Sequence, residues 1–106
     1  MDPDFYKAYF LKGIVQRNLN LNDESITCFQ NVKDNDFYLY ACNIYLAEYY
    51  IHKLKFDQAL LYLDEVYKIY NANPRIVFLL ALVHIELFQL DEAKRYLNQL
   101  SLITKE

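Results

Sequence analysis

Asn22-Asp23-Glu24-Ser25, Phe56-Asp57-Gln58-Ala59 and Leu90-Asp91-Glu92-Ala93 are three versions of one short pattern, each beginning 34 residues after the one before. The same step links Gly13, Ala47 and Ala81, then Phe29, Leu63 and Leu97, and also Val32, Val66 and Leu100. Small residues recur where two helices of a hairpin must cross closely, and larger apolar residues follow at steps of three and four, the spacing of one helical face. Ala93, Leu97, Leu100 and Ile103 make one such stripe. A fixed period of this length marks a repeat array. Each hairpin has too little core alone, and stacking is what buries the faces.

With 106 residues, 55% of them hydrophobic, the chain has enough material for one continuous core and too little for two ordinary domains. One glycine, Gly13, and two prolines, Pro3 and Pro74, leave an all-β fold without its turn residues. The expected class is therefore all-α. Caps and breakers predict six helices, over residues 3–17, 23–33, 36–52, 56–71, 74–88 and 90–104. Asn73 before Pro74 reads as an N-cap and first-turn pair. Asp23, Asp57 and Asp91 each place a carboxylate in the first turn of a second helix, where the helix dipole favours it, so they read as structural.

Eleven Lys and Arg against fourteen Asp and Glu give a net charge of −3, without the basic excess that nucleic-acid binding needs. The N-terminus opens on acidic residues, and the longest apolar run, 76–83, is far shorter than a membrane span, so neither an export signal nor a span is expected. Cys28 and Cys42 lack metal-ligand or redox spacing and read as ordinary thiols, which fits a cytoplasmic protein. No nucleophile and base, paired carboxylates, glycine-rich phosphate loop or metal-ligand set stands out, so no catalytic residues, metal or cofactor are expected. Glu48 and Glu86 are isolated acids, and His52 and His84 read as packed or half-exposed side chains. Most of the eleven tyrosines, including Tyr38, Tyr40, Tyr49 and Tyr50, should fill space between helices; Tyr45 is the exception kept as a binding candidate.

The period and its small and large positions resemble the tetratricopeptide repeat. Within one domain, 1–106, the resemblance sets repeats at 6–39, 40–73 and 74–106, with small pairs Gly13 and Ser25, Ala47 and Ala59, and Ala81 and Ala93. Lys12, Gln16 and Asn22 depart from it at apolar positions of the first unit, and Phe37, Asn71 and Lys105 stand where a closing proline is common. The resemblance implies a right-handed α-solenoid of three antiparallel helix hairpins whose first helices line a concave groove. Its ligand-facing positions fall on Lys7, Phe10, Leu11, Ile14, Arg17 and Asn18 in the first repeat. In the second they fall on Ala41, Ile44, Tyr45, Glu48, Ile51 and His52, and in the third on Arg75, Phe78, Leu79, Leu82, Ile85 and Glu86. One subgroup clamps the carboxylate of heat-shock chaperone tails with basic and amide side chains. The matching residues are Phe10, Ile14, Tyr45, Arg75 and Leu79, of which only Arg75 suits a carboxylate, so that clamp is not expected.

The resulting expectation is a non-enzymatic adaptor or chaperone-like module. It would hold an apolar peptide or amphipathic helix against Phe10, Ile14, Ile44, Tyr45, Phe78, Leu82 and Ile85, with Arg17, Glu48, Ile51 and Arg75 around them. Such a patch exceeds what a soluble monomer normally leaves in water. The alternative is a structural or oligomerising segment of a longer solenoid, because the last helix has no polar cap beyond it. Tyr96, Leu100 and Ile103 would then be partly uncovered and available to a homodimer.

Overall fold

A computed structural model describes residues 2–105, so Met1 and Glu106, the outermost residues of the expected unit, lie outside it. Its elements are α1 (Pro3–Asn18), α2 (Asn22–Val32), α3 (Leu39–His52), α4 (Phe56–Tyr67), α5 (Pro74–Glu86) and α6 (Leu90–Ile103), with no strand among the described residues. Packing is densest within α1–α2, α3–α4 and α5–α6, and weaker between α2 and α3 and between α4 and α5. The all-α repeat expected from the period is therefore a row of three hairpins.

Local chemistry sets the starts. Asn73 caps α5, its Oδ1 accepting the Ile76 N–H at 3.1 Å with Pro74 behind it, as the sequence predicts. Asp2 does the same for α1, accepting the Asp4 N–H at 2.8 Å. The second helices α2, α4 and α6 lack a side-chain cap and instead carry Asp23, Asp57 and Asp91 in their first turns.

The ends hold a regularity that the period alone did not reveal. Asn20, Leu54 and Phe88, again 34 residues apart, all adopt left-handed backbone, with φ of 63°, 60° and 57°. The residue after each donates its N–H back across the turn, from Leu21 to Gln16, Lys55 to Tyr50 and Gln89 to His84, each at 2.8 Å. Glycine normally holds such a position at no steric cost. Here the only glycine, Gly13, is used for a close crossing of α1 and α2, where a Cβ would stand 2.7 Å from Phe29 Cε1.

Three predicted boundaries move by more than one residue. α3 begins at Leu39 and not at 36, because Asn35 Oδ1 accepts the Phe37 N–H and Asn35 O the Tyr38 N–H, both at 3.0 Å, closing a turn that competes with helix. α4 stops at Tyr67 and not at 71. The Ile69 N–H bonds Val66 O at 3.1 Å in a tightened last turn, and Asn73 is extended ahead of its proline. α5 ends two residues before 88, since left-handed Phe88 cannot continue it.

The core has two lobes. Phe29, Val32, Cys42 and Leu46 centre the first, and Ala47, Leu63, Val66, Ile76, Leu80 and Val83 centre the larger second. Tyr62 packs against both, which makes the stack continuous. Tyrosines fill the seams: Tyr50 stacks on Tyr62 with centroids 5.6 Å apart and Tyr67 meets Tyr96 edge-on at 5.6 Å, and Tyr45, the expected exception, also stacks on Phe29 at 5.0 Å. Cys28 and Cys42 are buried and unpaired, and burial pushes the Cys42 thiol up to about 12.

Candidate peptide groove

Three first helices meet at one carboxylate. Glu48 on α3 receives Arg75 of α5 at 3.1 Å, and Arg17 of α1 stands 4.0 Å from the same oxygen. Arg17, Glu48 and Arg75 come from different positions in their repeats, so the link runs diagonally across the face that α1, α3 and α5 share. The Arg17 guanidinium also lies 4.6 Å from the centre of the Tyr45 ring, whose other neighbour is the buried Phe29. Guanidinium, tyrosine and phenylalanine thus form one pile between α1 and α3.

That pile changes the apolar groove the sequence predicts. Ile44 is not a lining residue but a buried member of the second core lobe, in one cluster with Ala59 and Leu63 of α4 and Ile76 and Leu80 of α5. Phe10 and Ile14 are half-buried against the first lobe, with the Phe10 ring 4.8 Å from that of Tyr38, and Ile51 and Leu82 are half-buried against the second. Leu79 is also buried. Leu11 on α1 stays open at 51% exposure, and on α5 so do Phe78 and Ile85, at 44% and 42%. With Leu82 between them, at steps of four and three, they form one stripe along α5.

Beside the pile, at the C-terminal ends of α1 and α3, lies an open cleft of about 530 Å³. Arg17, Tyr45 and Glu48 form one wall; Asn20, Asn22 and Tyr49 contribute, and His52 and Lys53 close it. His52, expected to be packed or half-exposed, is exposed here, since α3 ends on it. The Tyr49 hydroxyl donates to Asp23 Oδ1 at 2.6 Å, and that carboxylate holds the phenol up at about 12. Lys53 sits 5.6 Å over the Tyr49 ring and 3.9 Å from the same Asp23 oxygen. Asn20, Asn22 and Lys53 were not among the sequence candidates. Their signal was the turn after α1 and α3, which the absence of glycine concealed.

At the end expected to be partly uncovered, Tyr96 departs from the expectation. Tyr96 is buried, at 6% exposure, with His84 stacked 5.4 Å from it and the Arg95 guanidinium 4.5 Å from its centre. Its ring turns inward because His84 occupies a packing position and offers it a face; His84 Nδ1 meets Gln89 Oε1 at 2.6 Å. Leu100 and Ile103 are half-buried against the second lobe, whereas Leu90, Leu97 and Leu102 are the exposed apolar residues of α6.

Among the described residues no group of three or more His, Cys, Asp and Glu could hold a metal, and no helix is long and apolar enough to cross a membrane. Stacked helix hairpins repeating at one period define a helical repeat protein. A family model for the tetratricopeptide repeat matches residues 41–106, and the chain belongs to that family. Its domains generally mediate protein–protein interactions. No curated protein and no solved structure matches the chain. The matched segment leaves out α1 and α2, the hairpin in which Lys12, Gln16 and Asn22 depart from the repeat's apolar positions.

Proposed function

We propose that the chain is a non-enzymatic adaptor that holds an amphipathic helix or extended peptide against the face shared by α1, α3 and α5. The observation that carries this is the open stripe of Phe78, Leu82 and Ile85, which adjoins a diagonal of charge formed by Arg17, Glu48 and Arg75. Apolar side chains of the partner cover the stripe, and its polar groups meet the diagonal. Burying the two open side chains contributes gross about 1.5–3 kcal/mol each, before ordering costs are subtracted. A cytoplasmic setting fits the two unpaired thiols.

The test is selection of binding peptides on the full chain, followed by Phe78→Glu. Loss of binding by about tenfold or more, with helicity and unfolding midpoint unchanged, supports the adaptor. Peptides that bind Phe78→Glu as well as the parent overturn it. A second reading, in which α6 is covered by another copy, rests on Leu97. At the equivalent position Phe29 and Leu63 are fully buried, whereas Leu97 is 44% exposed. A solution mass of one chain at high concentration excludes that pairing; a dimer broken by Leu97→Glu supports it.

A further inference from the structure

The cleft at the ends of α1 and α3 is the wrong chemistry for an apolar ligand, and its charges are unevenly satisfied. Glu48 is held by Arg75 at 3.1 Å and Asp23 by the Tyr49 hydroxyl at 2.6 Å. Arg17 and Lys53, the cations that face the cleft, reach those carboxylates only at 4.0 and 3.9 Å, beyond hydrogen-bonding distance. Each carboxylate thus has a close donor from elsewhere, and two cations are left with donors to spare. Both also lie over aromatic rings, Arg17 over Tyr45 and Lys53 over Tyr49. Arg17 and Lys53 against Glu48 give the cleft lining a charge of +1 with His52 neutral, in a chain whose net charge is −3. The amides of Asn20 and Asn22 add neutral donors to the lining.

We infer that this cleft is an acidic-residue subsite: it takes the side-chain carboxylate of an aspartate or glutamate in the bound peptide, between Arg17 and Lys53. This rests on the reading that the shared face holds a peptide, and it adds a second recognition element to the apolar stripe on α5. The planar Arg17 fork suits a carboxylate edge-on, and Lys53 supplies a point charge from the other side. The subsite sets which amphipathic peptide is accepted and in which direction it lies, since the carboxylate and the apolar residues must engage opposite ends of the face.

The test is parallel selection from a random dodecapeptide library, with blocked termini, on the full chain, on Arg17→Gln/Lys53→Gln and on Phe78→Glu. The expected result on the parent chain is enrichment of apolar residues together with one Asp or Glu at a fixed distance from them. The double variant should keep the apolar enrichment and lose the acidic one. For a selected peptide, replacing the acidic residue by its amide should weaken binding about fivefold at low salt and much less near 1 M salt. Apolar enrichment without an acidic position on the parent chain overturns the subsite and leaves the groove standing. Acidic enrichment that survives the double variant also overturns it. No enrichment on any of the chains overturns both readings.

Discussion

The two ends of the shared face use matching repeat positions in opposite ways. Between α1 and α3 the face is filled by the Arg17, Tyr45 and Phe29 pile, while on α5 Phe78 and Ile85 stand open. Phe10, Ile44 and Phe78 occupy one repeat position, yet they are half-buried, buried and exposed in turn. A repeat fixes which way a side chain points, but burial depends on the neighbour it meets. The α5–α6 hairpin follows the one that carries Ile44, and among the described residues no hairpin follows α6. The openness of the face therefore changes along the array while the backbone pattern does not.

The severest way to break the contrast is to remove the base of the filled end. Phe29→Ala takes away a fully buried ring that supports Tyr45, fills the gap left by Gly13 and packs 6.0 Å from Phe10. It should cost about 3–5 kcal/mol, read from the urea midpoint at constant slope. Next comes a matched pair across the two ends. Ile44→Ala should cost about 2–4 kcal/mol as a buried truncation, and Ile85→Ala about 0.5 kcal/mol or less. Equal losses from the two variants would show that α5 is as well covered as α3 and would remove the open stripe on which peptide binding rests.

The turns beneath the two ends differ as well, and the expected change there is a gain. Phe88 is left-handed and 87% exposed, so its ring contributes little to the core while its Cβ strains the backbone. Phe88→Gly should relieve that strain and, after the extra entropy of an unfolded glycine, raise stability by about 0.5–1 kcal/mol. Asn20, with the same backbone and a side chain that tolerates it, should gain almost nothing from glycine. A loss of stability in Phe88→Gly would mean that the ring is packed in solution.

The division between what could and could not be read from the sequence follows the same line. The six helices, the crossing at Gly13, the Asn73 cap and the stripe through Leu63 and Val66 are properties of a repeat taken by itself, and spacing exposes them. The burial of Ile44 and Tyr96, and the pairing of Glu48 with arginines from two other helices, depend on contacts between repeats. No spacing within a 34-residue unit encodes those. The left-handed turns lay between these cases: their positions are periodic, but Leu54 and Phe88 carry none of the chemistry by which such turns are recognised.

The gentlest perturbations separate the cleft's hydrogen bonds from its charges. Tyr49→Phe removes the 2.6 Å bond to Asp23 and should cost about 1 kcal/mol near neutral pH. Because the folded Tyr49 phenol titrates at about 12, above its ordinary 10, the contribution is complete below pH 10. It disappears as pH rises toward 12, so the parent and variant stability curves should converge there. Glu48→Gln should change stability by less than about 1 kcal/mol, since Glu48 is partly exposed and each partner arginine keeps contact with water. Its effect belongs instead to recognition. With Glu48 neutral, Arg75 is released from its 3.1 Å bond, and the charge of the residues that line the cleft, now Arg17 and Lys53, rises from +1 to +2. Acidic peptides should then bind the variant more tightly at low salt, with a steeper decline as salt is added, while apolar contacts on α5 stay unchanged. Weaker binding of acidic peptides to Glu48→Gln would mean that Glu48 aligns the arginines for the ligand, and that the filled end works through a preset pair instead of through spare positive charge.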